Sequence, residues 1–431
     1  MTSRPRVSRR TLLLTLVLAV PAVLLLVVAA FPFGMLKGVM ADRLSQRFGR
    51  PVTIAGMARV DRFGFTPTIA VTGVTIPQAT WAGRGDFLRL REARVSFPVW
   101  PLLTGTFRPR DIEIDGLQLA LVRAADGRTN WSRPGEPESG GSSNDLKGLI
   151  VRNSMIHYVD AKRQRQARVA FTSDAQGLRA QGTGTIRGLP VRIALAGAQV
   201  AQPTPGPWPF TAAIDGAALR MRARGRMERP LDTDAMTLDV DARAADLRLI
   251  DAVIEAGLFG TQPVALVAQV RHAAPRWIVT GLKGTIGQSD IAGHVTVDKQ
   301  DGRTRLDGAI ASQRFDFDDL SSDEGLAKGA ALERAIGPRV VPNTRIDLSK
   351  IDKTDGRIAV KVARVVSRGG GTSVTGVQGV LTLDRQRLRV DPLTIRLAGG
   401  TARGALTVDQ RGGAASPTLT VDLRLTGTRV E

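Results

Sequence analysis

The sequence predicts a mainly β protein: an N-terminal transmembrane helix, then a long antiparallel sheet with an apolar inner face and a few short helices. Three observations predict it. One long apolar run follows a cluster of arginines at the N-terminus. Beyond Pro51, apolar and polar residues alternate one for one. Paired turn residues recur between the alternating runs.

Arg4, Arg6, Arg9 and Arg10 precede an uncharged run from Thr11 to Leu36. As a helix, Leu12 to Phe33 would span about 33 Å, which matches a bilayer core. A cleaved signal peptide, cut near Ala29-Ala30, is the rival reading. The run is longer than a signal's apolar region of about 7–15 residues, which favours a retained anchor. Arginines before the run belong in the cytoplasm, so the rest of the chain is expected across the membrane. Residues 1–36 are therefore read as a cytoplasmic tip and single-pass anchor. Gly34 to Phe48 follows as an amphipathic helix, with Leu36, Val39, Met40, Leu44 and Phe48 near helical spacing.

From Pro51 the period is two. Leu419, Val421, Leu423 and Leu425 alternate with polar residues, as do Leu393, Ile395 and Leu397. Val295 and Val297 share this pattern, and Leu306 and Ile310 follow across Asp301-Gly302. Such alternation gives a strand one dry and one wet face. Ile112 and Ile114 keep one parity while Leu117, Leu119 and Leu121 take the other, so Gly116 marks a bulge or tight turn. Asp126-Gly127, Asp301-Gly302 and Asp355-Gly356 read as hairpin pairs. Helices are expected from Leu247 to Phe259, capped by Asp246, and from Leu326 to Ile336. Residues 132–147 contain almost no apolar side chain and read as a flexible linker. The organisation is thus 1–36 anchor, 37–131 N-terminal β module, 132–147 linker and 148–431 repetitive β region.

Composition narrows the chemistry. The chain has 431 residues, a formal charge of +20 and no cysteine, so thiolate sites and disulfides are absent. Aromatics are 4%, too few for a base-stacking platform, and no nucleic-acid partner is expected. The stretch from Gly284 to His294 lacks the lysine and spacing of a phosphate loop and reads as strand–turn–strand. Its Ser289 and Asp290 are taken as turn chemistry, and a triad with His294 is set aside. Asp316, Asp318, Asp319, Asp323 and Glu324 are read as capping and solvated residues rather than a metal site. No catalytic residue, metal or cofactor is assigned. Arginines on the wet parity of strands are either a solvated face or a contact for anionic headgroups or polyanions.

Four segments resemble the AsmA family of membrane-anchored periplasmic proteins. They begin at Gly49 with "GRPVTIAGMARVDRFGF", at Ala93 with "ARVSFPVW", at Leu282 with "LKGTIGQSDIAGHVTVD" and at Leu388 with "LRVDPLTIRLAGGTARGALTVD". The second runs on to the turn Asp126-Gly127-Arg128-Thr129-Asn130-Trp131. The resemblance implies no enzyme. It implies a long, curved sheet with a greasy inner groove, set in the inner membrane with its bulk in the periplasm. It also implies a role in outer-membrane assembly or in moving phospholipid between membranes. Longer family members continue past the point corresponding to Glu431, so an envelope protein partner is expected at the C-terminal end.

The residue-level reading fits that expectation. At about 4.8 Å per strand, about twenty strands would make a sheet on the order of 100 Å long. Its apolar face needs a cover, either a second protein layer or acyl chains. The candidate groove lining is Val295, Val297, Leu306, Ile310, Leu393, Ile395, Leu397, Leu419, Val421, Leu423 and Leu425. A tethered scaffold that binds proteins along its sheet edges is the alternative.

Overall fold

The computed structural model describes residues 33–61, 64–98, 100–101, 109–132, 148–201, 205–258, 260–336, 353–366, 374–413 and 417–427. The chain is mainly β, with a sheet of twenty strands, a separate two-stranded pair and a few short helices. The expected anchor lies outside the described residues except at its end, Phe33–Leu36, which is a 3-10 turn. Among the described residues, no helix is long and apolar enough to cross a membrane. The sheet is mixed, which corrects the expectation of a purely antiparallel one. Among the described pairings two steps are parallel, and each follows one of the longest stretches between sheet strands. A parallel neighbour needs a crossover of a dozen residues or more, whereas a two-residue turn forces an antiparallel one.

Contacts divide the chain into two units, with the division falling within residues 163–204. The first unit opens with helix α1, Lys37–Phe48, closed by Gly49 in the left-handed conformation. It packs Ala41, Leu44 and Phe48 against Val52, Ile54, Val74, Ile76 and Phe87. The strands beneath it are β1 (Thr53–Arg59), β2 (Thr68–Pro77), β3 (Asp86–Ser96), β4 (Asp111–Arg123) and β5 (Leu149–Asp160). The first four pair in antiparallel order, and β5 runs parallel to β4.

Gly116 has φ +69, and it is not alone in its column. The pairing skips Ala55, Gly73, Arg91, Gly116 and Asn153, which stand in line across β1 to β5. Gly73 and Asn153 also have positive φ, at +60 and +49. One irregular residue per strand flips the side-chain parity in all five strands at once. Ile112 and Ile114 before it, and Leu117, Leu119 and Leu121 after it, therefore stay on one face. A Cβ at Gly116 would come within 2.9 Å of the Arg91 Cβ, so the column needs glycine there.

The Asp-Gly-Arg-Thr-Asn-Trp turn that ends this module is a structural clasp. Asn130 is buried, accepts from the Val122 N–H at 2.9 Å and donates to Gln78 Oε1 at 2.7 Å and Ala120 O at 2.8 Å. Arg50 donates to the Asn130 carbonyl and, at 3.2 Å, to that of Pro77. Burial pushes the Arg50 guanidinium below its ordinary value. These bonds tie the chain leaving α1 to both β2 and β4.

Strands β6 (Arg165–Asp174) and β7 (Gly177–Ile186) carry the boundary between the units. The second unit then runs through β8 (Leu189–Gly197), β9 (Trp208–Asp215), β10 (Leu219–Met227) and β11 (Ala235–Ala244). Helix α2, Leu247–Ile254, follows, and after it come β12 (Val264–Ala273), β13 (Arg276–Ile286), β14 (Ser289–Gln300) and β15 (Arg303–Ser312). The short β16 (Phe315–Asp316), a 3-10 turn at Phe317–Leu320 and helix α3 (Asp323–Ile336) make the crossover. The unit ends with β17 (Thr354–Val362), β18 (Val365–Val366), β19 (Val374–Asp384), β20 (Arg387–Leu397), β21 (Gly400–Asp409) and β22 (Thr418–Thr426). Asp301-Gly302 joins β14 to β15 as expected, since Gln300 pairs with Arg303. Asp355-Gly356 is no turn: it lies inside β17, beside β15.

The main core of this unit is where α2 lies on the sheet. Asp246 caps the helix, accepting from the Arg248 N–H at 2.8 Å. Leu247, Leu249, Ile250 and Ala252 pack on Leu219, Ala244, Val264 and Ile286 at the strand ends. The helix stops at Ile254, earlier than the expected Phe259, because Glu255 turns left-handed at φ 55. Arg165 holds that end, donating to the Ala252 carbonyl at 2.9 Å and to Glu255 at 2.6 Å.

Candidate functional site: an apolar sheet face

Side chains of directly paired residues on neighbouring strands lie on the same face of a sheet. The register therefore shows which apolar residues belong together. Val297 pairs with Leu306, Val295 with Gly308 and Ile310 with Gly293. Across the parallel step, Gly308 lies beside Ile358 and Ile310 beside Val360. Val360 pairs with Gly379 and Val362 with Val377. Gly379 then pairs with Leu393, Val377 with Ile395 and Val374 with Leu397. Leu393 pairs with Gly404 and Ile395 with Ala402. Finally Gly404 pairs with Leu423, Ala402 with Leu425, Leu406 with Val421 and Val408 with Leu419. All eleven candidate residues stand on one face of β14 to β22.

Two bulges keep that face apolar along whole strands. The register shifts between Val279 and Leu282 in β13, and between Val390 and Leu393 in β20. Each shift changes parity, so Trp277 and Val279 join Leu282, and Leu388 and Val390 join Leu393. The same salt bridge follows each strand's start: Arg276 to Asp298 at 2.9 Å, and Arg387 to Asp409 at 3.9 Å. Sequence reading missed Trp277, Val279, Ile358, Val360 and Leu406 as members of the face. The alternation of Ile358, Val360 and Val362 was a usable signal.

The cover on this face is uneven. Leu393 is buried, at 6% exposure, and most of the other ten are half-buried. Leu419, Val421 and Leu425 on β22 are exposed at 55%, 52% and 53%. Leu, Val and Ile side chains half open to water carry a hydrophobic cost that a ligand or partner removes. Opposite them on the polar face of β22 stand Thr420, Asp422 and Arg424.

The stretch from Gly284 to His294 is punctuation, held by chemistry from a distant segment. Gly287 and Gln288 link β13 to β14. The Asp319 carboxylate accepts from the N–H groups of Gln288 and Ser289, each at 2.9 Å, and from Ser289 Oγ at 2.8 Å. Ser289 Oγ in turn accepts from the Asp316 N–H at 2.8 Å. Asp319 is wholly buried and Asp316 nearly so, which corrects their reading as solvated residues. The capping part of that reading stands, since Asp316 accepts from the Asp318 N–H at 3.0 Å. Asp290 grips another segment, accepting from the N–H groups of Gln313 and Arg314. Burial pushes its carboxyl up, but those backbone bonds outweigh burial and hold it below the usual range. His294 is exposed, while Ser289 and Asp290 are committed to these bonds. Among the described residues, no group of three or more His, Asp or Glu side chains is placed to hold a metal ion.

What the geometry defines is an aliphatic face on a β-sheet, partly open to water. Residues 2–176 match the model of the AsmA family, so this N-terminal part of the chain resembles that family. It is similar to the AsmA family protein YhjG of Escherichia coli (strain K12), at 26% identity over 134 residues. That similarity covers 28% of this chain and 19% of the relative's own length. No solved structure matches the chain. The part matched to the family model lies ahead of β14 to β22, so the apolar face is described by the register alone.

Proposed function

We propose that the protein is anchored in the inner membrane, faces the periplasm and holds or conducts phospholipid along the apolar face of β14 to β22. It does so without catalysis, as part of envelope assembly. One observation carries the reading: eleven aliphatic residues from four strands share one face, and three of those on β22 stay exposed. Aliphatic side chains without converging polar groups suit acyl chains, and they set no preference among headgroups. The arginine cluster and apolar run at the N-terminus support the topology. A tethered scaffold has one observation in its favour: among the described residues β22 pairs with β21 alone, which leaves an edge for another strand.

A photo-crosslinking side chain separates the two readings. At Val297 or Leu423 it is expected to capture lipid in cells. At Thr296 or Asp422, on the opposite parity, it is expected to capture little. Equal lipid capture on both parities, or capture of protein alone at Leu423, would remove the acyl-chain reading and leave the scaffold.

A further inference from the structure

The polar face of the sheet is not uniform. On β10, Arg220, Arg222, Arg224 and Arg226 occupy every second position and are all exposed. Their side chains are spaced about 6.7 Å apart along the strand. The register adds Arg243 on β11, opposite Arg220, and Arg271 on β12, opposite Thr237. Arg192 on β8 pairs with Asp215 on β9 and joins the same face. Three carboxylates share it: Asp215, Asp239 and Asp241. Seven arginines against three aspartates leave four positive charges in excess over five strands.

The carboxylates do not consume the row. Asp215 serves both Arg220, at 3.3 Å, and Arg222, at 3.9 Å. Asp241 lies 4.0 Å from Arg243. Among the described residues, no carboxylate comes within salt-bridge distance of Arg192, Arg224, Arg226 or Arg271. The reverse face of these strands is apolar and carries α2. The arginine face itself is open to solvent among the described residues, since all seven of its arginines are exposed.

We propose that this face of β8 to β12 is a docking surface for the anionic headgroups of a phospholipid bilayer. Rows about 6.7 Å apart along strands and about 4.8 Å apart across them present guanidinium groups as a closely spaced array. A layer of phosphates offers many acceptors at such spacings, and four or more basic residues on one patch suffice for attraction to an anionic leaflet. Guanidinium binds phosphate through a rigid fork of donors, which suits arginine over lysine here. No aromatic side chain interrupts the row on β10, so base stacking has no platform. The proposal is independent of what occupies the apolar face.

The chain has no cysteine, so Thr237→Cys can carry a single fluorophore between Arg226 and Arg271. The full chain is reconstituted in vesicles of phosphatidylcholine, with or without phosphatidylglycerol, containing a headgroup quencher. Phosphatidylglycerol is expected to raise quenching by about twofold or more. About 1 M salt, where the screening length is about 3 Å, is expected to abolish the gain. So is replacement of the row by Arg220→Gln, Arg222→Gln, Arg224→Gln and Arg226→Gln. Should that variant lose its fold, the salt titration of the Thr237→Cys chain decides alone. Quenching that is equal on both lipids, or insensitive to salt, would overturn the proposal. So would shielding of the probe by dissolved polyphosphate in the absence of any response to phosphatidylglycerol, because the partner would then be a soluble polyanion.

Discussion

Asp319 shows how one side chain can fix two segments that are about thirty positions apart. Its carboxylate takes three hydrogen bonds from Gln288 and Ser289 in full burial, and Gly287 makes room for it. A Cβ at Gly287 would stand 2.1 Å from Asp319 Oδ1, and φ there is +57, so the turn requires glycine twice over. Asp319→Ala strands buried donors, and the expected loss is about 2–3 kcal/mol, read as a lower midpoint in urea unfolding. An unchanged midpoint would show that water replaces the carboxylate without cost. Asp290 gives a pH signature instead. Its folded carboxyl lies below the usual value because the Gln313 and Arg314 N–H groups outweigh burial. Its contribution to stability is therefore complete above the unfolded pKa of about 4 and is lost as pH falls through the lower folded value. The stability difference between the native chain and Asp290→Asn should shrink as pH drops below about 4, followed by thermal unfolding at each pH. A difference that stays constant with pH would mean that the charge on Asp290 does not matter.

At the scale of elements, alternation was the legible signal. Leu419 to Leu425, Leu393 to Leu397, and Val295 with Val297 lie in strands, and the parity read from each run matches its register. Gly116 was legible as a phase change, but its alignment with Gly73 and Asn153 was not, because each strand shows only its own irregularity. The parallel steps were hidden for a similar reason. Alternation says which face a residue takes and nothing about strand direction, which depends on the crossover length. Asp355-Gly356 misled because the same dipeptide suits a tight turn and a strand start. Here Asp355 accepts from Arg303 at 2.6 Å, so the aspartate is a cross-strand partner. The acidic cluster misled because local sequence places Asp319 near a helix start, while its burial comes from a turn far back in the chain.

For the molecule as a whole, the decisive contrast is between apolar surface that is covered and apolar surface that is not. In the second unit, α2 covers Leu219, Ala244, Val264 and Ile286, so this patch is a protein core. Along β22 nothing among the described residues covers Leu419, Val421 and Leu425, although all belong to the same run of alternation as Leu423. The two patches should respond differently to a buried charge. Ile250→Glu places a carboxylate in the core under α2, where it has no partner, and the expected cost is several kcal/mol. The protein should then be degraded or unfolded at the growth temperature. Leu423→Glu or Val421→Glu meets water or lipid, and the expected cost to folding is within about 1 kcal/mol. Native mass spectrometry of the full chain then reads occupancy. If the face holds acyl chains, both β22 variants should remain folded and abundant while losing most of the co-purified phospholipid. A Leu423→Glu chain that unfolds as readily as the Ile250→Glu chain would show that protein covers this face. A folded variant with undiminished lipid would place the acyl chains elsewhere on the molecule.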